Sequence, residues 1–284
     1  MSPNGSDRSP RRTMRRKLPQ ALALGLVIAT ATGCSANDLP RLGLPSPVTK
    51  EGPLVLHMWQ GSWIAALVVG VLMWGLIIWS VIFHRRSRTG VEIPPQTRYN
   101  VPIEALYTAV PIIIVSVLFY FVARDESTLT STSEKPQHYV NVVGFQWSWA
   151  FNYENTETPD PANKDAAYEV GTPASAPTLW LPVNESVQFR LTSRDVIHDF
   201  WPVNFMMKMD VVPGVTNKFE VTPTVKGEYM GKCAELCGTD HSRMLFNVKV
   251  VDRVDYDKHL ADLRAKGQNG AVPSGVISMG SEEK

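Results

Sequence analysis

Two uncharged apolar runs dominate the first half of the chain. Residues 63–83 and 105–123 contain no Asp, Glu, Lys or Arg. Apolar stretches of about 20 residues match a bilayer core about 30 Å thick, so each run predicts a membrane-spanning helix. Trp59, Trp63 and Trp79 lie toward the two ends of the first run, where interfacial aromatics sit. His84-Arg85-Arg86-Ser87-Arg88 closes that run, and Arg124-Asp125-Glu126 closes the second. Pro111 is expected to kink the second helix. From His138 onward the pattern changes to short β-branched and aromatic runs separated by turn residues. Examples are Tyr139-Val140-Asn141-Val142-Val143, Val187-Gln188-Phe189-Arg190-Leu191-Thr192, Lys218-Phe219-Glu220-Val221 and Phe246-Asn247-Val248-Lys249-Val250-Val251. Such runs predict a β-sandwich or barrel. Residues 155–178 are polar and contain Pro, which reads as a loop, and Val254, Leu260 and Leu263 among charges read as a surface helix. The pattern predicts a transmembrane hairpin over 55–125, an all-β domain over 126–266 and a Gly/Ser-rich flexible tail over 267–284. No internal repeat is present.

Charge and the N-terminal residues add topology. Residues 1–124 carry 13 Lys/Arg against 5 Asp/Glu, and residues 125–284 carry 15 against 22, so the overall formal charge of +1 hides a basic half and an acidic half. Arg11, Arg12, Arg15, Arg16 and Lys17 precede an apolar run at 21–31 that ends in Ala31-Thr32-Gly33-Cys34. This is the layout of a secretory signal over 1–33. The small residues before Cys34 resemble a bacterial lipobox, which makes Cys34 a candidate lipidation site at the mature N-terminus. Residues 34–54 are rich in Pro, Gly and Ser and read as an exposed linker. Basic short loops stay in the cytoplasm, so the loop 84–102 is placed inside and both the mature N-terminus and the acidic C-terminal domain outside. The localisation expected is a bacterial cell membrane, and no nucleic-acid partner is expected.

The three cysteines, Cys34, Cys233 and Cys237, are too few and too odd in number for a disulfide framework. Two of them sit in Cys233-Ala234-Glu235-Leu236-Cys237-Gly238-Thr239-Asp240-His241-Ser242-Arg243-Met244, a C-x-E-x-C-x3-H-x2-M motif. Outside a membrane, two cysteines default to a disulfide. A redox-active thiol pair is a second reading, although its usual spacing is C-x-x-C, and zinc is a third. Thiolate, imidazole and thioether together form a soft set, and Met beside Cys and His marks copper electron-transfer centres. A mononuclear blue-copper site needs one Cys. A second thiolate makes sense where both sulfurs bridge two copper ions, with His198 and His241 serving one each.

The motif resembles the CuA site of cytochrome c oxidase subunit II, of the haem–copper oxidase family, and the resemblance spans the two helices and the β domain. It implies a cupredoxin-like extracytoplasmic domain and a binuclear copper cofactor. Cys233 and Cys237 would bridge, His198 and Met244 would belong to one copper, and His241 and the Glu235 backbone carbonyl to the other. The Glu235 side chain would hold a magnesium ion shared with the catalytic subunit, subunit I. The resemblance makes Trp147, in Gly144-Phe145-Gln146-Trp147-Ser148-Trp149-Ala150-Phe151, the residue that passes electrons from cytochrome c to copper. It makes Glu104, at the cytoplasmic start of the second helix, the entrance of a proton path. Lys208 and Asp210 are expected to face subunit I, with subunit III and other oxidase subunits as further partners. The chain would deliver electrons to a subunit that reduces dioxygen to water with proton translocation, and would bind no haem itself. Asp195, Asp199, Glu154 and Glu157 are candidates for an acidic face that steers a basic cytochrome c, soluble or tethered. His57, His84, His138 and His259 read as ordinary surface or interface residues. A quinol oxidase subunit II would lack the copper ligands, and nitrous oxide reductase would be soluble with a large extra domain. A thiol–disulfide enzyme or copper chaperone would not need His241 and Met244.

Overall fold

The computed structural model describes residues 38–154, 156, 163–273 and 275. Cys34, the signal-like segment and Glu157 lie outside the described residues, as does most of the expected tail. Residues up to Leu44 form a separate unit whose described part holds one 3₁₀ turn, Leu39–Arg41. Everything described from Pro45 onward belongs to the second unit.

That unit opens with the hairpin. Helix α1 spans Gly52–Phe83 and helix α2 spans Val101–Leu129, both long and apolar enough to cross a membrane. Each extends beyond its uncharged run, because nothing in the flanking residues breaks the helix: α1 reaches back to a start at Gly52 with Pro53 in its first turn, where a missing N–H costs nothing. Asn100 caps α2 by accepting from the Ile103 amide at 3.4 Å. The helix continues through Pro111 as one element. The two helices touch each other, yet their apolar side chains remain exposed along their length, as at Val71, Trp74 and Phe119. These faces suit lipid or neighbouring subunits rather than water.

The β domain is a sandwich of two five-stranded sheets. One sheet has the order β3-β2-β1-β5-β8 and the other β4-β10-β9-β6-β7. In chain order the strands are β1 His138–Phe145, β2 Ser148–Glu154, β3 Ala167–Val170, β4 Thr178–Pro182 and β5 Val187–Ser193. They continue with β6 His198–Pro202, β7 Met209–Val211, β8 Asn217–Val221, β9 Gly227–Cys233 and β10 Leu245–Val251. Pairing is antiparallel except between β1 and β5 and between β4 and β10. Period-2 alternation puts Val140 and Val142, Trp149 and Phe151, Phe189 and Leu191, and Phe246 and Val248 into one core. Its centre is aromatic: Phe200 and Phe246 stack with centroids 4.8 Å apart, and Trp149 meets both edge-on at 5.6 Å. Gly231 in β9 makes room for this, since a Cβ there would fall 2.0 Å from the Phe246 ring. The sandwich was expected from the strand pattern, and so were β1, β5, β8 and β10.

Five local expectations are corrected. Part of the linker is not exposed: the Val48 amide donates to Asn204 O at 3.2 Å, the Lys50 amide to Thr222 O at 2.9 Å, and Val48 itself is buried in the core. The loop 155–178 contains strand β3, Ala167–Val170, and the first residue of β4; four residues are too few to show a strand pattern inside a polar stretch. The expected tail begins later than residue 267, because Gly270 donates to Ala166 O at 3.0 Å and Asn152 donates to Gly270 O at 3.2 Å, extending the sheet past β3. Helix α3, Arg253–Ala265, was expected, but it buries Tyr256 and Leu263 while Val254 is 77% exposed. His138 and His259 are also sheltered rather than at the surface. His138 lies 2.7 Å from Glu185, and His259 stacks on Trp180 at 4.2 Å.

Candidate metal centre

One end of the sandwich gathers the donor residues. β6 supplies His198 at its first position, β9 ends on Cys233, and the connection to β10 carries Cys237, His241 and Met244. β6 and β9 are neighbours, with Phe200 opposite Cys233, so strand register brings His198 beside a cysteine 35 residues away. Cys233 Sγ lies 3.8 Å from Cys237 Sγ, too far for a disulfide bond of about 2.05 Å, and both cysteines are free and buried. His198 Nδ1 lies 3.9 Å from Cys233 Sγ, and His241 Nδ1 lies 3.5 Å from Cys237 Sγ. Met244 Sδ is 3.7 Å from Cys237 Sγ, and the Glu235 carbonyl is 3.3 Å from Cys233 Sγ. Donor atoms of His198, Cys233 and Cys237 lie within 4.8 Å of one another, a cluster that could hold a metal ion.

The donor set fits copper on its chemistry. Two sulfurs face two ring nitrogens of the same kind, and a thioether with no exposure completes the set. The surrounding bonds orient the candidate ligands. His198 Nε2 lies 2.8 Å from Asp195 Oδ1, a contact that turns Nδ1 toward the sulfur. Asp195 also accepts from the Gln146 amide at 2.7 Å and from the Val196 amide at 2.7 Å. Burial works to raise the Asp195 pKa, but the bonds from His198, Gln146 and Val196 outweigh it and leave it below its ordinary value. Burial likewise opposes charge on His198, and the bonds to Asp195 and Cys233 outweigh it, so its pKa is raised. The two sulfurs lie close enough for each to bias the other's charge. The bond from Cys237 holds Cys233 far below a normal thiol, with help from His198 and the Asp199 amide, and the same bond pushes Cys237 up.

Trp147 occupies the turn between β1 and β2, half-buried against this site. Its indole Nε1 donates to Cys237 O at 3.2 Å, and Gln146 Nε2 donates to the same carbonyl at 2.8 Å. Gly238 has φ +124, and a Cβ there would come 3.0 Å from the indole nitrogen. Behind the site, Trp149 Nε1 donates to Met244 O at 3.4 Å. The remaining sequence candidates lie elsewhere. Glu104 sits in the first turn of α2, where its Oε1 accepts from the Asn100 amide at 2.9 Å as part of the helix cap. The Glu235 side chain is exposed. Asp199 and Glu154 are buried and so do not form an acidic outer face. Asp195 as the partner of His198 and Asp199 as the partner of Lys208 were not read from the sequence. Only the placement of Asp195 three residues before His198 hinted at the first.

Residues 139–251 match the family described as cytochrome C oxidase subunit II, periplasmic domain. The chain is 62% identical to a probable cytochrome c oxidase subunit 2 of Streptomyces avermitilis, with 100% of this chain and 98% of that protein covered. This chain belongs to the cytochrome c oxidase subunit II family. A cytochrome c oxidase subunit 2 of Mycobacterium bovis is 33% identical over 90% of this chain and 84% of its own length. The periplasmic domain of cytochrome oxidase subunit II from Bradyrhizobium japonicum, in a crystal structure, shows 25% identity, covers 48% of this chain and 99% of its own, and gives a TM-score of 0.41. As a subunit II, the chain is part of an oxidoreductase complex that includes the haem–copper subunit I. Its two helices anchor it in a bacterial membrane, and its cupredoxin-like domain lies outside the cytoplasm.

Proposed function

We propose that this chain is the electron-entry subunit of its oxidase. It takes single electrons from cytochrome c at a binuclear CuA centre and hands them to subunit I, which reduces dioxygen to water with proton translocation. The observation that carries this reading is the convergence of two free sulfurs, two imidazole Nδ1 atoms and a buried thioether at one end of the core. Cys233 and Cys237 would bridge the two coppers, His198 and Met244 would serve one, and His241 and the Glu235 carbonyl the other. When bound, such a centre takes up and releases one electron at a time over two sulfur-linked metals.

The chain's own residues give that chemistry its setting. Asp195 holds the His198 ring with Nδ1 turned inward, and Trp149 fixes the Met244 backbone, so the ligands are preformed on rigid strands. Little then has to move when charge changes. Trp147 would be the entry point: its indole is joined by one hydrogen bond to the carbonyl of a bridging cysteine, a short route inward from the donor. Glu104 would receive protons at the cytoplasmic end of α2. The Glu235 carboxylate would hold magnesium shared with subunit I, and Cys34 would carry lipid. Subunit III and other oxidase subunits would complete the assembly, and no haem would bind to this chain.

The test is metal and spectrum in the purified oxidase. Two coppers per subunit II, a near-infrared band and a mixed-valence electron spin resonance pattern are expected. Cys237→Ser should remove the band and copper binding while the helices remain inserted. Wild-type turnover with cytochrome c in that variant would sink the reading.

A further inference from the structure

Beside the ligands lies an ion pair that the proposed function does not use. Asp199 follows His198 directly in β6, and its side chain is only 3% exposed. Its Oδ2 accepts from Lys208 Nζ at 3.1 Å, and its Oδ1 has no hydrogen-bond partner among the described residues. Its backbone is tied to the cysteine strand, where the Ala234 amide donates to Asp199 O at 3.1 Å. Across the β6–β7 ladder Asp199 stands directly opposite Asp210, an arrangement in which like charges repel. Lys208 answers both, and its pKa is raised first by its bond to Asp199 and then by the charges of Asp210 and Glu235.

An ion pair whose carboxylate is buried and whose amine is exposed is a poor stabilising device, because desolvation of the carboxylate consumes most of the attraction. A fixed charge next to a redox centre does something else: it favours the oxidation state of opposite sign, and it is weakly screened when buried. We propose that Asp199 and Lys208 set the reduction potential of the metal centre held by Cys233, Cys237, His198, His241 and Met244. Asp199 adjoins the candidate ligand His198 in β6, and its negative charge lowers the potential. Lys208 lies beyond it and offsets part of the effect. This inference rests on the copper reading above.

The experiment compares the wild-type oxidase with Asp199→Asn, Lys208→Met and the double variant. Midpoint potentials of the near-infrared band are measured for all four proteins under one set of conditions. Lys208→Met is expected lowest, then wild type, then the double variant, with Asp199→Asn highest. A purely structural role would loosen the site and move both single variants the same way, so shifts of one sign, or none, overturn the inference. Lys208 is 56% exposed in this chain, so Lys208→Met can be made without opening the core. Should Asp199→Asn fail to assemble, an unchanged or raised potential in Lys208→Met overturns the inference by itself, and Lys208→Arg should stay at the wild-type potential. A wild-type oxidase with no near-infrared band would instead overturn the copper reading on which this inference depends.

Discussion

Trp147 and Gly238 show how single residues shape the wall of the candidate metal centre. The indole that bonds Cys237 O packs against residue 238, where the missing Cβ avoids a 3.0 Å contact and lets the backbone hold φ +124. Gly238→Ala should therefore push the indole away and strain the backbone, costing about 1–3 kcal/mol. Thermal unfolding of the purified subunit should show that loss. Stopped-flow mixing with reduced cytochrome c should show slower electron uptake at unchanged copper content. An unaltered rate would mean that electrons enter elsewhere. At this scale the C-x-E-x-C-x3-H-x2-M spacing was legible, since four of the candidate ligand side chains fall within twelve residues. Asp195 was legible only as an acid, not as the partner that turns the His198 ring. That role depends on a loop folding back so that Oδ1 reaches Nε2.

At the scale of elements, α3 tests how far periodicity can be trusted. Charges surround it, and only one face meets the sheet, carrying Tyr256 and Leu263. Leu263→Ala should cost about 2–5 kcal/mol by removing buried methyl groups. Val254→Ala should stay within about 0.5 kcal/mol, since that side chain points into solvent. Urea unfolding of the two variants would compare them directly, and equal losses would mean that the helix does not pack as described. The strand pattern read β1, β5, β8 and β10 correctly because each buries alternate residues in the core. It missed β3, whose shelter comes from β2 on one side and the segment after α3 on the other rather than from its own sequence.

For the whole molecule, the apolar runs and basic loop set the topology. A single cysteine placed at Ser87 should react with a membrane-impermeant thiol reagent only after the membrane is opened. One at the exposed Asn247 should react in intact cells. The opposite pattern would invert the orientation. The chain also straps its two parts together through Val48 and Lys50, so the segment entering α1 is part of the β core rather than a tether.

The sequence by itself determined the two spans, their orientation, the β class of the outer domain and the chemical softness of the donor cluster. Each of these follows from local composition, period or spacing, which act through solvent and chain geometry alone. Tertiary structure decided which residues meet: His198 with Cys233 across β6 and β9, Trp147 with Cys237, Asp199 with Lys208, and Val48 with the core. Those meetings depend on strand order and register, and a register is chosen by the packing of the whole sandwich rather than by any one segment.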